Sequence, residues 1–214
     1  MIDSEQLFYV NLQADLIRYA ISQQRFADAF ALSDSLIDGD LINTTSYFTN
    51  ATGLRSYFNY LQTDSPANIV NYIKFITQAD RRRQVHVGNQ TFHDEDNRVE
   101  VMLRDDVFQA IPSEQLTQLF DNYKILVYNG LLDIICAESL TLNWIADLQW
   151  SHANEYKTAP RQVWKVDPAD DQVAGYVKVV GRFMLAAVRN AGHMVPTDQP
   201  RAMLDLLQRF TQLT

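Results

Sequence analysis

The chain has 214 residues, 47% of them hydrophobic and 21% charged, enough for one domain with a sizeable core or for a core plus a smaller lobe. Its formal net charge of −8 argues against a nucleic-acid partner, because a phosphate backbone selects for clustered Lys and Arg. No run approaches the roughly 18 uninterrupted apolar residues of a spanning helix, so no membrane span is expected.

From Ser4 to about Ala79 the periodicity is helical, and nothing in it reads as a strand. Leu7, Val10, Ala14, Ile17 and Ile21 form one stripe at three- and four-residue steps. Phe26, Ala29, Phe30, Ser33, Leu36 and Ile37 form a second, stopped by Asp38-Gly39-Asp40. Residues 42–59, rich in Thr, Asn, Tyr and Phe, read as a loop with short turns, and Asn68 to Ala79 as one more amphipathic helix. Arg81-Arg82-Arg83, the one basic run, reads as a solvated helix end.

The period then changes. Lys124-Ile125-Leu126-Val127-Tyr128, ended by Asn129-Gly130, is a continuous apolar run of the kind that a parallel sheet buries on both faces. Leu140 to Leu148 is helical, and Val163 to Val166 is a short strand. Tyr176 to Val180 alternates, Gly181-Arg182 turns the chain, and Phe183 to Val188 is another apolar strand. A helix follows from Pro200, a residue suited to a first turn, with Met203, Leu206, Leu207, Phe210 and Leu213 as its buried face. Strands alternating with helices predict an α/β sheet with functional loops at the strand ends.

Two such loops carry the chemistry. Asp133 follows the first apolar strand, and His193 follows the last by a short loop. In α/β hydrolases the chain order is nucleophile, acid, histidine, each at the C-terminal end of a strand, so Asp133 and His193 fit the last two places. The demand is physical: a serine hydroxyl attacks only when an imidazole takes its proton, and the imidazole needs a carboxylate to fix its tautomer. On spacing alone, such an Asp is more often a turn or cap residue than a triad acid, and such a His more often a satisfied polar contact.

The flanking residues carry more. Asn190-Ala191-Gly192-His193-Met194-Val195-Pro196, followed by Asp198-Gln199-Pro200, closely resembles the histidine signature of the serine carboxypeptidases. Tyr128-Asn129-Gly130-Leu131-Leu132-Asp133, with Cys136 three residues on, resembles their aspartate signature. Trp164 and Val173-Ala174-Gly175-Tyr176 match the run between them. Leu36 to Asp40, Tyr57-Phe58-Asn59-Tyr60 and His86-Val87-Gly88-Asn89-Gln90-Thr91-Phe92 look like the vitellogenic carboxypeptidase-like branch.

This resemblance implies a partial α/β-hydrolase fold, with residues 1–80 a helical cap or insertion that roofs the active site and 81–214 the C-terminal part of the core. It implies Asp133 as triad acid and His193 as general base. Cys136 and Met194 are placed near the pocket for the leaving C-terminal residue, although Cys136 reads equally as a small buried hydrophobe. His86, His93 and His152 lie outside the matched motifs and receive no role. No metal or cofactor is implied, and the partners implied are peptide substrates and the N-terminal half of the same enzyme.

The departures are specific. No Gly-x-Ser-x-Gly occurs in these 214 residues. The family's oxyanion-hole glycines and carboxylate-recognising Asn and Glu belong to the N-terminal half. Leu54 and Thr63 stand where family members carry cysteines, so the insertion is expected to be held by packing alone. Two functions follow: a serine-type carboxypeptidase segment that acts when joined to the nucleophile-bearing half, or a truncated, inactive pseudo-enzyme that binds or scaffolds. On location the signals divide. Ile2-Asp3-Ser4-Glu5 shows no signal peptide in this chain, and one cysteine excludes an internal disulfide. The sequons at Asn43, Asn50 and Asn89, with the resemblance, point instead to a secreted or lysosomal glycoprotein.

Overall fold

The computed structural model describes residues 2–41, 44–94 and 96–213. They form two compact units: residues 1–55 with 62–109, and residues 56–61 with 110–214.

The first unit is helical. α1 (Ser4–Ser22) opens on a capping box, in which the Asp3 carboxylate accepts from the Gln6 amide and the Gln6 side chain accepts from the Asp3 amide. It packs against α2 (Phe26–Ile37), and Ala20 of α1 and Ala29 and Leu36 of α2 are buried. Residues 42–59 hold more than turns. Ser46, itself buried, caps α3 (Tyr47–Thr52) by accepting from the Thr49 amide, and Gly53 closes the helix with a φ of 74°.

The single helix expected over 68–79 is broken. A 3-10 turn (Ala67–Val70) leads into α4 (Asn71–Ile76), Gln78 is extended, and α5 (Ala79–Gln84) starts afresh. Val70, Tyr72 and Phe75 are exposed and Ile69, Ile73 and Ile76 only half-buried, so little packing supports a long helix through a β-branched stretch. α6 (Asn97–Leu103) ends the labelled elements of this unit. Beside Leu54, the Arg55 amide donates to the Thr63 carbonyl at 2.7 Å. The Arg55 guanidinium also grips Asp64 through two bonds of 2.5 and 2.6 Å. The loop is therefore tied by hydrogen bonds and an ion pair as well as by packing.

The second unit is a mixed sheet between helices. α7 (Ser113–Asn122) precedes β1 (Ile125–Gly130), which continues through the Asn-Gly pair expected to end it. α8 (Glu138–Asp147), α9 (Ala153–Thr158), β2 (Gln162–Trp164), β3 (Gly175–Val180), β4 (Phe183–Val188), a short α10 (Val195–Asp198) and α11 (Pro200–Gln212) follow. The sheet order is β1-β4-β3-β2. β1 and β4 are parallel, whereas β3 is antiparallel to both β4 and β2.

β4 is buried throughout because both faces are covered, and its period-2 alternation sorts its side chains between two cores. Met184, Ala186 and Val188 join Trp164, Ala202, Met203 and Leu206 on the α11 side. Phe183 and Leu185 join Phe120, Ile145, Trp150 and Tyr156 on the side of α7, α8 and α9. β1 departs from the expectation of two buried faces: Ile125, Leu126 and Val127 are half-buried and Tyr128 is exposed. It lies at one end of the four-strand order, with no strand beyond it among the described residues. On α11, Leu207 is exposed and Ala202 takes the buried place assigned to it.

Candidate active site

The parallel register aligns Gly130 with Val188, so β1 and β4 end together and release their loops from one sheet edge. Asp133 follows the first strand and His193 the second. Their side chains meet: His193 Nδ1 lies 2.9 Å from Asp133 Oδ2, with the carboxylate buried and the imidazole half-exposed. Asp133 Oδ1 accepts from the Cys136 amide at 3.0 Å, which fixes the carboxylate's rotation. With Nδ1–H donating to Oδ2, Nε2 carries the lone pair, and no described residue hydrogen-bonds it.

Close backbone approach makes this geometry possible. The Leu131 amide donates to Val188 and the Leu132 amide to Ala191, lacing the two loops together. A Cβ at Gly130 would lie 2.1 Å from the Gly192 carbonyl oxygen, so only glycine fits there. Asn190 takes a φ of 55°, a left-handed conformation that Asn tolerates, at the turn out of β4.

A third segment, without a role in the sequence reading, completes the site. Residues 56–61 run as a strap beside both loops. Tyr57 accepts from the Ile134 amide, Phe58 from the His193 amide at 2.7 Å, and the Tyr60 amide donates to Leu132. The Phe58 ring stacks on the imidazole at 5.1 Å between centroids and 17° between planes, which restrains the ring and shields one of its faces. Asp198 Oδ2 accepts from both the Gly192 amide at 2.8 Å and Asn59 Nδ2 at 3.0 Å, pinning strap and histidine loop to one carboxylate. A Cβ at Gly192 would sit 2.0 Å from the Phe58 carbonyl oxygen. Phe58, Asn59 and Asp198 lie within the motifs that carry the resemblance, which is the one signal that could have singled them out.

Asp198→Ala is therefore expected to leave two buried donors unpaired, at a cost of about 1–3 kcal/mol. A lower urea midpoint with an unchanged slope would register it. An unchanged midpoint would show that the carboxylate does not hold the strap.

Cys136 and Met194 are exposed beside the pair, and the Cys136 thiol lies within 4.8 Å of the Asp133 carboxylate and the His193 ring. Partial desolvation and then the Asp133 charge push its pKa up, so it stays an uncharged thiol. His152 pairs with Glu155 on another part of the unit, and His86 and His93 are exposed in the other unit. Asn50 is exposed on α3 and Asn89 in a turn; Asn43 lies outside the described residues.

A mixed α/β sheet with a carboxylate–imidazole pair at the ends of adjacent parallel strands is a partial α/β-hydrolase core. The family model described as serine carboxypeptidase matches residues 11–213, and the chain belongs to that family. It is 40% identical over 210 residues to the human probable serine carboxypeptidase CPVL, covering 98% of this chain and 44% of that protein. It is 44% identical over 192 residues to the venom serine carboxypeptidase of Apis mellifera, covering 89% of this chain and 40% of the relative. With the vitellogenic carboxypeptidase of Aedes aegypti it shares 37% identity over 183 residues, 84% of this chain and 38% of that one. The prohormone-processing carboxypeptidase of Saccharomyces cerevisiae has a similar fold, with a TM-score of 0.57 at 22% identity over 73% of this chain and 36% of that chain. The chain thus spans less than half the length of these relatives.

Proposed function

We propose that this chain supplies the acid and base of a serine carboxypeptidase whose nucleophile lies in sequence outside these 214 residues. The observation that carries the reading is the 2.9 Å contact between His193 Nδ1 and Asp133 Oδ2 at the ends of two parallel strands. In the complete enzyme, Nε2 of His193 takes the proton of the serine hydroxyl as it attacks the last peptide carbonyl. It then gives that proton to the departing amine, releasing the C-terminal residue and leaving an acyl-enzyme that water hydrolyses. Asp133 holds the tautomer and stabilises the imidazolium, and Cys136 and Met194 border the leaving residue.

The helices of 1–80 correspond in this reading to the family's insertion, and 81–214 to the core, in which all four strands fall. β1, at one end of the described sheet, is where the strands of the N-terminal half add. The setting is secretory or lysosomal, with Asn43, Asn50 and Asn89 as glycan acceptors. Among the described residues no helix is long and apolar enough to cross a membrane.

The competing reading, an inactive scaffold, is favoured by one observation: no Gly-x-Ser-x-Gly occurs in the chain. Co-expression with the N-terminal half of a CPVL-type relative separates the two. Release of the C-terminal amino acid from an N-blocked dipeptide by the pair, with none from either part alone, is the expected result. A folded complex without turnover would favour the scaffold.

A further inference from the structure

We propose that Asp34, Asp40 and Glu100, in the helical unit, form a binding site for one calcium ion. One carboxylate oxygen of each residue lies within 4.8 Å of the others. Two ligands of a single Ca²⁺, each at about 2.4 Å, stand at most about 4.8 Å apart, a limit that all three pairs meet. All three belong to the same compact unit: Asp34 on α2, Asp40 just past its end, and Glu100 on α6.

What distinguishes this cluster from a solvated acidic face is Asp34. It is only 5% exposed, yet neither Oδ1 nor Oδ2 has a well-formed hydrogen bond among the described residues. The carboxyl's pKa is raised, first by desolvation and then by the Asp40 carboxyl beside it, and the Leu41 amide offsets only part of that. A carboxylate buried without a donor is costly unless a cation or a proton meets it. No Lys or Arg pairs with Asp34, Asp40 or Glu100 among the described residues. Asp38, one turn along from Asp34, adds a further negative charge nearby. Burial, then Asp40, Asp38 and Asp34, push Glu100 up to about 7, which reflects the same uncompensated charge.

The turn that presents Asp40 requires glycine: Gly39 has a φ of 85°, and a Cβ there would lie 2.3 Å from the Thr44 carbonyl oxygen. An all-oxygen donor set of flexible size suits Ca²⁺ better than Mg²⁺, which demands a tighter octahedron and keeps its water.

This proposal does not rest on carboxypeptidase activity, and its test reads binding directly. The full chain, alone or in the reconstituted complex, is stripped with EGTA and titrated with CaCl₂ by calorimetry, and its melting temperature is recorded with and without the ion. One ion per chain and a higher melting temperature with Ca²⁺ are expected. Glu100→Gln and the exposed Asp40→Asn each raise Kd at least tenfold while the protein stays folded. Asp34→Asn removes the calcium response, and MgCl₂ gives the weaker effect. No heat and no melting shift at millimolar Ca²⁺ would overturn the site. So would an affinity unchanged by both Glu100→Gln and Asp40→Asn, or a cluster stabilised by acid alone and indifferent to calcium.

Discussion

Replacing His193 with Ala in the reconstituted enzyme is expected to lower turnover on the order of a million-fold, as removal of either the nucleophile or its base does in a complete triad. In the proposed mechanism Nε2 is the proton acceptor, and the other histidine of this unit, His152, pairs with Glu155 instead. The loss belongs to chemistry and not to folding. The His193 amide keeps its bond to the Phe58 carbonyl whatever the side chain, and the ring is half-exposed. Asp133 Oδ2 loses its partner, so the melting temperature should fall modestly with the protein still folded while kcat collapses. Turnover within tenfold of the parent would remove His193 from the mechanism.

Asp133→Asn should cost about ten-thousand-fold in kcat with the fold intact. The Cys136 amide, 3.0 Å from Oδ1, decides how the new side chain sits. It needs an acceptor, so the amide oxygen turns toward it and the NH₂ group faces His193 Nδ1. Nδ1 must then accept, the proton moves to Nε2, and the base has the wrong tautomer for taking the serine proton. The effect should fall on kcat more than on KM, because Asp133 is buried behind the histidine. Equal loss in both would point to a displaced loop instead.

Much of this site was legible because two short signatures sit directly after strands that a period change announces. The apolar run of Phe183 to Val188 is buried on both faces, and the motif beyond it delivers His193 to the same sheet edge as Asp133. The strap of residues 56–61 was not legible. It holds its neighbours mainly through backbone amides and carbonyls, and side-chain patterns carry no record of those. Nor was the break at Gln78, which is decided by whether a tertiary face exists to support a long helix; Val70, Tyr72 and Phe75 remain exposed. The half-burial of β1 reflects its place at one end of the described strand order, whereas its composition announces a strand covered on both faces. The α3 helix was signalled by Ser46 and Gly53, but six residues leave little periodicity to detect.

The claim that this chain carries two members of a triad completed elsewhere is tested most directly by labelling with a serine-directed fluorophosphonate. The chain alone should take up no label. Joined to the N-terminal half of a CPVL-type relative, the pair should be labelled on that half at a single serine, and His193→Ala in this chain should abolish the signal. Labelling of a serine within these 214 residues, or labelling of the partner half that is indifferent to His193→Ala, would contradict it.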